Sequence, residues 1–192
     1  MNAVILNGGD GNAAGAACRK IRDAAAKEFE ARGWSVRTFD LEAMTIKPCL
    51  GCFGCWLKHP GTCVHKDDQE EILKALAAED VGVWITPVTF GGYSSTFKKM
   101  LDRSIPRALP FFIRVNGEVH HPQRYPKRRK LAVIGTVAGP DAEAERIFRG
   151  LANRNALNMQ ASTTETRLIA EGASDEEIRA RVREIVAGLG SE

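Results

Sequence analysis

Residues 81–95, VGVWITPVTFGGYSS, decide the fold. Val81, Val83 and Ile85 would face one side of a strand and Trp84 the other, with only Gly82 between, so the run from Val81 to Ile85 reads as a strand buried on both faces. Such strands sit at the centre of parallel sheets whose two surfaces are covered by helices. The following stretch, Thr86-Pro87-Val88-Thr89-Phe90-Gly91-Gly92, reads as a loop, and Ser94 or Ser95 can cap a helix. That helix turns Phe97, Met100, Leu101 and Ile105 inward and stops at Pro106.

Outward from this unit the pattern repeats. Ala3 to Leu6 is a short apolar run closed by Asn7-Gly8-Gly9-Asp10-Gly11-Asn12, then Cys18, Ile21, Ala25 and Phe29 recur at helical spacing up to Gly33. Trp34 to Phe39 alternates apolar with polar, as an edge strand does. Asp68 and Glu71 have capping-box spacing before a helix with the stripe Ile72, Leu73 and Leu76. Leu131 to Ile134 is a second doubly buried strand, followed by Gly135 to Pro140 and a helix opened by Asp141 with Ile147, Phe148 and Leu151 inside. A more polar strand, about 163–169, precedes a last helix with Ser174 and Glu177 as capping box and Ile178, Val182, Ile185 and Leu189 as stripe. Five strands with polar ones second and last fit the order 2-1-3-4-5, an α/β flavodoxin-like three-layer sandwich whose ligands bind beyond the strand ends, between the first and third strands. The loops meeting there are Gly8 to Gly15, Pro87 to Tyr93 and Thr136 to Pro140.

Two segments interrupt the alternation. Phe111 to Val115 and Glu118 to His121 flank Asn116-Gly117, so an arm over about 107–129 reads as an inserted hairpin. It is too apolar to stand free and is expected to pack across a partner subunit or over the ligand mouth. The other segment, about 47–66, holds Cys49, Cys52, Cys55 and Cys63, four of the five cysteines. Three cysteines in series at two-residue intervals have the spacing of cluster ligands, with zinc, disulfides and reduced thiols as the other readings. Cys18 reads as a small core residue, and His59, His65, His120 and His121 as solvated.

At 192 residues the chain can bury about 70% of its unfolded surface, so residues 1–192 form one domain that needs no disulfide staples. A formal charge of +3 gives no argument for nucleic acid, and Lys127 to Lys130 reads as a solvated approach to a strand. No apolar run approaches the roughly 18 residues of a membrane span, and Asn2 to Leu6 is too short for a signal peptide. An odd cysteine count and these absences lead to the expectation of a cytoplasmic protein.

The strand, glycine loop and helix at the start, PCLGCFGCW with Gly61-Thr62-Cys63 and Lys66-Asp67-Asp68, and above all PVTFGGYSSTFKKMLDR together resemble the flavodoxin-like NADPH-dependent FMN reductase and iron–sulfur flavoprotein group. The resemblance covers the whole chain in order, and the arm matches only some members. It implies an FMN-dependent oxidoreductase or electron-transfer protein, with NAD(P)H as electron donor, a small-molecule or protein redox partner, and a homo-oligomer, dimer or tetramer. FMN would lie against Gly8, Gly9, Asp10, Gly11, Asn12 and Ala13, with its ring along Pro87, Val88, Thr89, Phe90, Gly91, Gly92 and Tyr93. Cys49, Cys52, Cys55 and Cys63 would hold a 4Fe–4S cluster near the flavin. No acid–base residue is required, because the redox chemistry belongs to the cofactor. Where the group supplies serine, threonine or arginine in the first loop, this chain has Asp10, Asn12, Ala13 and Ala14. Two rival functions follow: an electron carrier with no substrate of its own, and a redox or metal sensor that has lost flavin.

Overall fold

In the computed structural model, which describes residues 1–190, five parallel strands form the sheet in the order β2-β1-β3-β7-β8. These are β1 (Asn2–Asn7), β2 (Ser35–Asp40), β3 (Val81–Thr89), β7 (Lys130–Val137) and β8 (Thr163–Ala170). With the short strands left out, this is the expected 2-1-3-4-5. The central strands β1, β3 and β7 bury both faces, and each face has its own core. Ile5, Val83 and Ile134 pack with Ile21 and Phe29 of α1 (Ala13–Ala31) and with Val182 and Ile185 of α6 (Asp175–Gly188). Leu6, Trp84 and Val133 pack with α3 (Gln69–Ala78), α4 (Ser95–Asp102) and α5 (Ala142–Asn158) on the other face. No helix among the described residues is long and apolar enough to cross a membrane.

Several local expectations change. β3 continues through Pro87 and Val88 to Thr89 and turns back as β4 (Gly92–Tyr93), so the second loop is largely a tight hairpin. Asp68 makes no side-chain cap: its carboxylate accepts from the Thr45 amide, and Asp67 accepts from the Gln69 amide instead. The buried stripe of α3 runs through Ala75 in place of Leu73. Ile105 lies outside α4, in a 3-10 turn. Ile147 faces solvent beside Gly91, and Ala152 and Ala156 complete the inner face of α5.

The arm is the hairpin β5 (Ile113–Val115) and β6 (Glu118–His120), closed by Asn116 and Gly117 at φ +50° and +84°, the positive pair of a type I′ turn. It packs on its own chain. His120 meets Asn158 at the end of α5, and Trp56 of α2 (Gly54–Leu57) donates its indole N–H to the Ala108 carbonyl at 3.0 Å. The arm therefore does not cover the strand ends, and Phe111 and Phe112 stay 65% and 72% exposed. Its two ends are clamped: the fully buried Glu79 takes Arg107 at 3.0 Å and Arg129 at 3.9 Å. Arg129 and Lys130 are thus buried, contrary to the solvated reading, because partners 50 or more residues away bind them: Ala77 O for Arg129, which also binds the nearby Tyr125 O and keeps its Nε–H unpaired, and Gly190 O for Lys130. His120 and His121 are not solvated either, since His121 stacks between Trp56 and Phe112 at 4.8 and 5.0 Å.

Candidate functional site

Two loops meet where the strand order reverses. After β1, the Gly8 amide donates to Ile85 O at 2.8 Å and the Gly9 amide to the Asn7 side chain at 3.0 Å, which ties the loop down beside β3. Asn12 caps α1 by accepting from the Gly15 amide. Gly15 is obligatory, because a Cβ there would stand 1.6 Å from Asp10 O. The chain folds back so tightly that the amides of Gly11, Ala13 and Ala14 carry no hydrogen bond among the described residues. Three free N–H groups at the start of a 19-residue helix are an anion cradle, since the helix dipole also favours negative charge there. Arg19, which the sequence reading missed, reaches this loop and donates to Asp10 O at 3.2 Å. It lies nearly two turns into the helix, a position that a search for basic residues on α1 would have found. The carboxylates of Asp10 and of Glu42, which stands beside Gly11, are opposed to a phosphate. These donors fit a phosphate despite the missing hydroxyls.

The second loop stands opposite. Ser94 donates its hydroxyl to Gly8 O at 2.8 Å and caps α4 by accepting from the Phe97 amide, so one side chain joins the loops. Phe90 and Gly91 take φ +49° and +75° in a type I′ turn between Thr89 and Gly92. This turn presents the Phe90 ring wholly to solvent, which leaves a bare aromatic face and open backbone for a flat ring. Tyr93 points the other way, into the core, where Asn155 meets its hydroxyl at 3.0 Å and burial pushes its pKa to about 12. Pro87 and Val88 are committed to β3. Among the predicted ring contacts, Phe90 with Thr89, Gly91 and Gly92 form the exposed rim. Cys18 is a core residue, as expected, with its thiol pushed to about 11 by burial.

The cysteine segment lies elsewhere. Positive φ at Gly51 (+64°) and Phe53 (+51°) bends the chain twice between the sulfurs, and Pro60-Gly61 returns Cys63. All four thiols line one hollow of about 20 Å³ with Arg103, His65 and Phe53 in its wall. Burial raises the Cys55 thiol above its ordinary value, and the nearby Cys63, Cys49 and Cys52 add to the rise. The Gly51 amide donates to the Cys49 sulfur at 3.4 Å. Among the described residues no three His, Cys, Asp or Glu side chains converge closely enough for one ion. A single zinc ion needs such convergence, and the four cysteines as placed do not give it; four thiolates are the donor set that iron–sulfur centres use. The segment is held at the C-terminal end of α4, and the glycine loops at its N-terminal end. Eight helical residues, roughly 12 Å, therefore separate the two sites within one chain.

The family model described as NADPH-dependent FMN reductase matches residues 1–166. An iron-sulfur flavoprotein of Archaeoglobus fulgidus is 32% identical over 87 residues, 45% of this chain and 39% of that protein. One from Methanocaldococcus jannaschii is 41% identical over 76 residues, 38% of each chain. The matched stretches thus span about two fifths of these curated relatives. Among solved structures, an NAD(P)H:quinone oxidoreductase from Methanothermobacter marburgensis superposes with TM-score 0.68 at 12% identity, covering 100% of this chain and 96% of that one. An FMN-dependent NADH-azoreductase from Bacillus anthracis, in complex with FMN, gives 0.62 at 10% identity over 99% of both chains. At such identities the likeness establishes the shared fold.

Proposed function

Because this chain belongs to the NADPH-dependent FMN reductase family, we propose that it is an FMN-dependent oxidoreductase that draws electrons from a reduced nicotinamide nucleotide and passes them on by way of a 4Fe–4S centre on Cys49, Cys52, Cys55 and Cys63. The observation that carries the flavin reading is the pairing of a three-amide cradle at the start of α1 with the exposed Phe90-Gly91 turn, joined by Ser94 at the switch point of the sheet. The first loop, Gly8 to Ala13, would hold the phosphate, and the rim from Thr89 to Gly92 the ring edge. FMN supplies the two-electron and one-electron chemistry when bound. The chain's own residues bind and orient it. The all-sulfur donor set around one hollow supports the cluster.

Titrating FMN into flavin-free protein and following fluorescence quenching tests the reading, with NADPH or NADH then added under anaerobic conditions. Saturable quenching followed by bleaching of the flavin is expected. Absence of quenching at any accessible FMN concentration would leave the sensor alternative. A second reading, an electron carrier that serves a protein partner, is favoured by the exposed apolar residues Leu50, Phe53 and Leu57 around the thiols. In that case FMN binds but nicotinamide nucleotide alone does not bleach it.

A further inference from the structure

Arg103 is 1% exposed and lies at the end of α4. Its guanidinium is held by two hydrogen bonds to Asp67, at 2.6 and 2.8 Å, and a third to Lys47 O at 2.9 Å. These use both terminal nitrogens. Of the two N–H groups left over, one on Nη2 and one on Nε, the Nε–H is buried without an acceptor. Arg103 also forms part of the wall of the four-thiol hollow with Cys63, near enough for its charge to act on that thiol. A guanidinium this deeply buried ordinarily satisfies every donor, so an unmet N–H at a ring of sulfurs points to a sulfur acceptor.

We propose that Arg103 is the potential-setting residue of the four-thiol centre, its Nε–H donating to the Cys63 sulfur while Asp67 fixes the guanidinium in place. This rests on the cluster reading above. Hydrogen bonds to the sulfurs and the net charge around them set the reduction potential of a thiolate-held cluster. Adding an electron beside a fixed cation is easier than without it, and Asp67 offsets part of that cation. Arg103 is a positioning residue, because it acts through Cys63. The exposed lysines of the segment cannot replace it, since water screens them.

The signs separate this role from mere support of the loop. Arg103→Gln removes the charge and the donor, and Arg103→Lys keeps the charge but not the Nε–H. Both should move the midpoint potential of the anaerobically purified protein to more negative values. The glutamine variant should shift the oxidised-to-reduced ratio about tenfold at fixed potential, ~59 mV for a one-electron couple. Asp67→Asn removes the offsetting anion and should move the potential the other way. Iron per chain and the thermal midpoint are recorded for each variant. A loosened loop would shift all three potentials in one direction, and that result would overturn the proposal, as would an iron-loaded Arg103 variant at the parent potential. If neither Arg103 variant retains iron, Asp67→Asn decides: a rise supports the role, and no change or a fall defeats it. Iron missing from the parent protein would bring down the cluster reading and this inference with it, a failure visible before any variant is made.

Discussion

Phe90 spends its conformational freedom on display. A left-handed backbone disfavours a side chain with a Cβ by about 1–2 kcal/mol, and nothing packs against the ring in return. Asparagine suits the first position of a type I′ turn, especially before glycine. Phe90→Asn should therefore raise stability by about 1 kcal/mol in urea unfolding. It should weaken FMN by roughly tenfold, about 1.4 kcal/mol, in a quenching titration. A purely structural Phe90 would give the first effect without the second. Asp67 supplies a pH signature at the same scale. Its hydrogen bonds from Arg103 lower its pKa from 3.8 to about 2. A depressed carboxylate contributes stability that is whole above pH ~3.8 and disappears as pH falls towards 2, at most about 2–2.5 kcal/mol. Comparing urea midpoints at pH 5 and pH 2.5 in the parent and in Asp67→Asn isolates this share, and the variant should lose the smaller amount.

At the scale of elements, the glycine that opens α1 opposes helix propensity. Alanine is the better helix former by about 1 kcal/mol, yet at position 15 its Cβ would overlap Asp10 O. Gly15→Ala should lower the thermal midpoint and abolish FMN binding together, since the cradle amides are aimed by that tight return. The arm makes the complementary case. Glu79 is the shared anion of Arg107 and Arg129, so Glu79→Gln leaves two buried cations without a counter-charge, a loss of about 3–5 kcal/mol when a buried pair is broken. Hydrogen exchange should quicken across residues 107–129 while β1, β3 and β7 stay protected. The sequence could not show this clamp. Apolar runs such as Val81 to Ile85 and Leu131 to Ile134 declare a central strand by local pattern. A buried arginine looks like a solvated one until its partner arrives from a distant element. The same limit hid Arg103 beside cysteines that spacing alone had marked, and it made Asp68 look like a cap when its neighbour Asp67 does that work.

For the whole molecule, several of the exposed apolar residues fall together. Phe53 stacks on Trp56 at 5.2 Å, Trp56 on His121, and His121 on Phe112, so one continuous aromatic row links the wall of the thiol hollow to the arm tip. Leu50, Leu57 and Phe111 lie along the chain beside it and are also exposed. A contiguous apolar surface of this kind marks an interface, and in a homo-oligomer the commonest closed solution is a two-fold pairing of like patches. The expectation of an arm covered by a partner subunit, once its placement over the strand ends is set aside, leads to a definite measurement. Light scattering of the parent protein should give a mass above one chain. Phe111→Ser with Phe112→Ser should shift it towards the monomer, with little effect on the thermal midpoint measured at low concentration, because neither ring packs into the core. A parent protein that is monomeric at all accessible concentrations, with rapid exchange at residues 111–113, would refute the pairing and leave the row of rings as the docking face of a different redox partner.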